Sequence, residues 1–160
     1  MKTKMRNGVA SYLNLAKKAD TAAWALMSVG FTDLTENPNA RVVSKQYVNE
    51  TNPISRVVGY DWTTAFTTDQ ILDDEAVQFI CEIGEQQLTK EDCEREYIIV
   101  DLDKPVGITE NQYEARLFEV AIQVTGFPAA DGNLTASGTL LALCKPKAVV
   151  FDVENKTVIE

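Results

Sequence analysis

Only one stretch of this 160-residue chain carries helical periodicity. Between residues 73 and 88, Ala76, Phe79, Ile80 and Ile83 recur at i, i+3, i+4 and i+7, which makes a single apolar stripe. Val77, Cys81 and Leu88 widen the stripe, while Glu82, Glu85 and Gln86 fall on the wet side. Asp73 is placed to cap the N-terminus, with Asp74 and Glu75 in the first turn, where the helix dipole favours negative charge. Gly84 costs about 1 kcal/mol against alanine inside a helix, so its presence argues for close packing on a sheet. With one such segment, nearly everything else must be strand or turn.

Residues 22–34 alternate with apolar side chains on both faces, as a strand covered on both sides does. ENPNA at 36–40 is a turn signal. Residues 41–50 and 54–66 read as strands separated by a break at 51–53. Together 41–58 resemble a long hairpin, in which Val43, Lys45, Tyr47 and Asn49 alternate with Val42, Ser44, Gln46 and Val48. Neither face is cleanly apolar, and such a hairpin cannot stand alone in water. It folds back on its own domain, lies on another subunit, or is a mobile surface hairpin. Further strands are expected at 95–103, 112–125, 134–143 and 147–153, with a last extended stretch from 157. Within 112–125 the apolar phase passes from Ala115 and Leu117 to Val120, Ile122 and Val124, which predicts a β-bulge near Phe118–Glu119.

The whole pattern predicts a mainly β fold, an antiparallel β-sandwich or partial barrel of about eight strands. One α-helix (about 73–88) flanks it and one long hairpin (about 41–58) extends from it. Trp24, Phe31, Tyr60 and Trp62 are expected to support the core together with Phe79, Ile80 and Ile83. Residues 1–20 are positively biased and poor in apolar positions, so they read as an N-terminal arm or a frayed terminus, leaving 21–160 as one β domain.

The chain has no histidine, which removes the commonest general base and metal ligand and with them any Ser-His or Cys-His nucleophile pair. Cys81, Cys93 and Cys144 form no CxxC and read as reduced thiols. DLDKPVG at 101–107 looks in passing like a calcium loop, but its third ligand position is Pro105 and its twelfth is Gln112, so it fails. No glycine-rich phosphate loop or nucleophile elbow is present. No enzyme activity, metal or cofactor is expected. A net charge of −9 and a pI near 4.6 repel a phosphate backbone, so tight nucleic-acid binding is not expected. No apolar run reaches the 18 or so residues of a membrane span, and no signal peptide is read, so the chain is expected to be made in a cytoplasm.

The order of the segments is itself informative. GFTDLTENPNA, then SKQYVNETN, then GYDWTTAFTTDQI, then a helix ending IGEQQ, resembles phage tail tube (major tail) proteins from Gram-positive hosts. YIIVDLD, ARLFEVAIQV and DGNLTASGTLLA follow in the same order, so the resemblance runs from about residue 22 to 153. It implies a structural subunit of the virion tail, assembled from the host cytoplasm. Rings of that family, typically hexameric, stack head to tail into the conduit for DNA ejection. A tape-measure protein, a tail tip or initiator and a tail terminator would be its partners. The hairpin would then be the contact between rings, through Val43, Lys45, Tyr47, Asn49, Asn52, Ile54 and Arg56. Six copies carry a formal charge of −54 (six times −9), which lets DNA slide without specific binding. The resemblance also admits the inner tube of a contractile tail or bacteriocin, a tail terminator and a distal tail protein. Outside it, a β-barrel of this size could bind a small molecule, although a monomeric binder has no use for such a hairpin.

Overall fold

A computed structural model describes residues 1–108 and 110–159 and contains twelve strands and one α-helix among them. The strands are β1 (Val9–Asn14), β2 (Trp24–Leu26), β3 (Phe31–Asn37), β4 (Ala40–Lys45), β5 (Ile54–Tyr60) and β6 (Thr63–Asp69). After α1 (Glu75–Glu85) come β7 (Glu94–Pro105), β8 (Gln112–Gly126), β9 (Ala129–Ala130), β10 (Asn133–Ala142), β11 (Lys147–Asp152) and β12 (Thr157–Ile159). The main sheet runs β2-β1-β7-β8-β10-β6-β3 with antiparallel pairings throughout. It does not close into a barrel. β4 and β5 form a separate two-stranded ribbon.

β8 is where the sheet divides. One of its edges pairs with β7, and the other is shared: β11 takes the first half, from Asp152↔Gln112 to Lys147↔Leu117, and β10 takes the second, from Ala142↔Val120 to Ser137↔Gly126. The sheet thus forks along β8 and buries two cores on opposite faces. Tyr97, Ile99, Phe118, Val120 and Ile122 face the larger core with Trp62, Phe66 and the helix residues Ala76, Ile80 and Ile83. Ile98, Val100 and Ala115 face the smaller one with Tyr12, Trp24, Val149 and Phe151.

This arrangement corrects the expected bulge. The β7–β8 register is unbroken from Glu94↔Ala121 to Val100↔Ala115, so Phe118–Glu119 is regular strand. The apolar phase changes there because β8 leaves one core and enters the other. Register shifts on β8 lie elsewhere: between Val100 and Pro105 on the β7 side, and between Ser137 and Gly138 on the β10 side, where the pairs with Gly126 and Val124 leave Thr125 as the extra residue.

Other boundaries also move. The single strand expected over 22–34 is broken at Gly30 (φ +85°), a left-handed position that L side chains avoid. Residues 9–14, within the expected arm, are instead a strand between β2 and β7, with Leu13 fully buried. Ser11 and Asn14 are buried there too, which made the stretch look polar. Asn14 Oδ1 accepts from the backbone N–H groups of Ala16 and Ala23, tying down the loop between β1 and β2. Ahead of β1, the Lys4 ammonium donates to Asp101 at 2.6 Å and holds that carboxyl below its usual range.

The helix is close to expectation but starts one residue later. Asp74, not Asp73, is the cap, with Oδ1 accepting from Ala76 N at 3.0 Å and Val77 N at 3.2 Å. It ends at Glu85, and Gln87 turns the chain with φ +54°. Ile80 and Ile83 are buried, whereas Phe79 is partly buried at the margin of the larger core. A Cβ on Gly84 would sit 2.6 Å from Phe127 Cζ and 2.7 Å from Val124 Cγ1. Gly84→Ala should therefore lower stability by about 1 kcal/mol, although helix propensity alone favours it by roughly that amount. A thermal melt in which this variant is more stable than wild type would show that the helix–sheet contact is not tight.

Candidate assembly surface

The ribbon β4–β5 contributes no residue to either core. Its register runs from Ala40↔Tyr60 to Lys45↔Ile54, with an irregularity between Arg41 and Val42, and Ser44 Oγ and Ser55 Oγ lie 2.8 Å apart. Every residue of β4 is exposed, as is every residue of β5 except Gly59. Large apolar side chains share this exposure: Val48, Tyr47, Val57 and Val58 all exceed half of their full accessibility. A ribbon this apolar without a core of its own is unusual for a monomer surface.

Its two faces differ. Val43, Lys45, Tyr47, Ile54, Arg56 and Val58 line one shallow depression of about 240 Å³. Five of the seven residues expected at a subunit contact thus lie together. Asn49 and Asn52 sit apart, exposed in the tip. The tip turn is closed by Glu50 N donating to Tyr47 O and by Gln46 Nε2 donating to the carbonyls of Glu50 and Thr51. Val42 pairs with Val57 on the opposite face.

Charge sets the ribbon apart as well. Residues 40–60 hold three cations (Arg41, Lys45, Arg56) and one acid (Glu50), a net charge of +2, so the rest of the chain carries −11 to make the total of −9. Arg41 forms an exposed ion pair with Asp61 at 3.2 Å, and exposed pairs of this kind contribute little to stability.

The root is built quite differently from the tip. β4 and β5 continue the β3–β6 ladder, which last pairs at Asn37↔Thr63. Between the two ladders Asn39 adopts φ +52°, and its Nδ2 donates to Asn37 O, Asp61 O and Thr63 Oγ1. Trp62 is the first buried residue beyond the ribbon, and its ring stacks on Phe118 at 4.2 Å and 22°. Arg116 reaches from β8 to Glu36 with two bonds of 2.7 and 2.9 Å, and its guanidinium also lies 5.6 Å above the Phe118 ring. Burial pushes the Glu36 carboxyl up, but the Arg116 hydrogen bonds and charge outweigh it and leave the group below its usual range. The Arg116 guanidinium is raised in turn, chiefly by the same hydrogen bonds.

Tyr60 does not share this anchorage. It is 63% exposed, which corrects its expected place in the core. It pairs with Ala40 as the last residue of the ribbon, and the ladder breaks before Trp62 turns inward. Trp24 is buried as expected, in the smaller core against Phe151, and Phe31 is partly buried against the larger one. Glu36 and Arg116 had no sequence signal, because a pair 80 residues apart becomes visible only once β3 and β8 are brought together.

Within the larger core, Phe66, Tyr97, Phe118 and Leu140 are fully buried. Among the described residues, no group of three or more acids or cysteines is arranged to hold a metal ion. No helix of the described residues is long and apolar enough to cross a membrane.

No protein-family model and no curated protein matches the sequence. Eight solved chains match the structure. One belongs to the tail of an empty GTA particle, determined by helical refinement with C6 symmetry. The alignment has a TM-score of 0.55 and covers 91% of this chain and 98% of that one, at 10% identity. The chain has the fold of that tail protein. The likeness covers most of both chains, so it concerns the fold as a whole and not one shared motif.

Proposed function

We propose that this chain is the repeating subunit of a phage tail tube, in which six copies close a ring and rings stack head to tail into a conduit for DNA. The observation that carries this reading is the chain-long likeness to a protein of a C6-symmetric tail. The β4–β5 ribbon supports it, because its exposed apolar residues have no partner surface in their own subunit. A contact that joins one face of a subunit to a different face of the next makes a ring where its rotation closes, as around the axis, and a filament where it does not, as from ring to ring. The acidic body suits a channel that DNA crosses without adhering.

In this reading the protein is a virion component of a Gram-positive-host phage, made in the host cytoplasm. A tape-measure protein, a tail tip or initiator and a tail terminator act with it, and it has neither catalytic residues nor a cofactor. The test is negative-stain electron microscopy of the concentrated protein, alone and with tip and tape-measure proteins. Hollow tubes of uniform width are expected. Rings that never stack would turn the assignment toward a terminator or distal tail protein, and a monomer under every condition would overturn it.

A further inference from the structure

The β4–β5 ribbon leaves the body at one end of β6, and the opposite end has a complementary character. β6 runs from Thr63, next to the ribbon root, to Asp69, a distance of about 20 Å for a seven-residue strand. Beyond Asp69, the loop carrying Leu72 lies beside the β9–β10 turn. Gln70 N donates to Leu134 O, Gln70 Nε2 donates to Thr135 O, and Ala129 pairs with Leu134. Leu72 is 89% exposed and Leu134 56%, with Ala129 and Ala130 exposed between them. Acids surround these apolar groups: Asp69, Asp73, Asp74, Glu75 and Asp131, with no lysine or arginine in 67–75 or 127–135.

We infer that this end, centred on Leu72 and Leu134, is the seat for the β4–β5 ribbon of a second copy of the chain. An apolar ribbon of net charge +2 meets an apolar patch rimmed by five acids, so burial drives the contact and charge fixes its orientation. Like ends do not fit: two ribbons repel one another, and so do two acidic ends. The arrangement therefore selects head-to-tail order over head-to-head. The inference rests on the tube reading and adds to it the surface that receives the ribbon.

Charge exchange in the full-length protein tests it. Lys45→Glu with Arg56→Glu in the ribbon, and separately Asp73→Lys with Asp131→Lys at the far end, should each lower the pelletable tube fraction on the order of tenfold or more. All four positions are exposed, so circular dichroism should be unchanged. As a check independent of charge, Tyr47→Cys and Leu134→Cys proteins, each also Cys144→Ser, would be mixed, assembled and oxidised. The expected product is a disulfide between the two introduced cysteines, one on each copy, mapped by mass spectrometry. Wild-type tubes together with a far-end variant that assembles normally, or tubes lacking that cross-link, would overturn the seat and leave the tube reading intact. Failure of the wild type to assemble at all would count against the tube reading itself.

Discussion

Replacing residues 43–56 by Asn-Gly, so that the paired Val42 and Val57 flank a tight turn, is expected to leave a folded subunit that forms no tubes. The turn fits because a two-residue Asn-Gly loop matches the twist of an antiparallel pair. The fold should survive because the deleted residues are exposed or confined to the tip, and their strands pair only with each other. The root remains whole: Trp62 still stacks on Phe118, and Arg116 still holds Glu36. The melting temperature should stay within a few degrees of wild type, since surface changes away from packed features seldom exceed about 0.5 kcal/mol. Assembly should fall to background. Tubes of normal width built from the shortened protein would exclude the ribbon as the contact between rings.

The second large effect concerns the body. A Cβ on Gly138 would lie 2.0 Å from the Gln123 carbonyl oxygen, 3.0 Å from its carbon and 2.8 Å from Phe66 Cζ. The first two are backbone atoms, so no rotamer change can relieve the clash. β10 would have to withdraw from β8 where the register shifts, and it would disturb Phe66 in the larger core. Gly138→Ala should cost about 3 kcal/mol, which for a domain of this size lowers the melting temperature by on the order of 10 °C. Gly126→Ala provides the control. It lies at the same irregularity, yet its nearest neighbour is Pro128 Cδ at 4.0 Å, so its melting temperature should scarcely change. Equal melting of the two variants would show that the close approach at Gly138 is not structural.

Gly138 also shows how far the sequence could be read. A glycine inside a strand commonly marks a bulge or a close backbone approach, and here it marks both. The more conspicuous phase change in 112–125 drew the bulge to the wrong place. One strand serving two cores and a bulged strand leave the same trace in a linear pattern, and only the partner strands separate them. The helix was legible because a single apolar stripe has one explanation. The ribbon was legible because neither of its faces had enough apolar character to be core. Tyr60 lies outside the core because the ladder breaks at Asp61, a break that the continuous strand pattern of 54–66 does not reveal. β1 leaves little trace in the sequence because it buries polar Ser11 and Asn14 beside Tyr12 and Leu13. The pair Glu36–Arg116 needed the tertiary fold itself.

The ladder interruption at Pro38–Asn39 and Asp61–Trp62 has a mechanical side. A bent column of rings must lengthen on one flank and shorten on the other. Along the strands of β3 and β6, many hydrogen bonds resist a pull together, so each ladder is stiff in that direction. In the gap between the ladders, the two strands are tied to each other by the Asn39 amide and one backbone bond from Asp61 N to Asn39 O. In the proposed tube, bending would be taken up at this break outside both cores, like play in a coupling between rigid links.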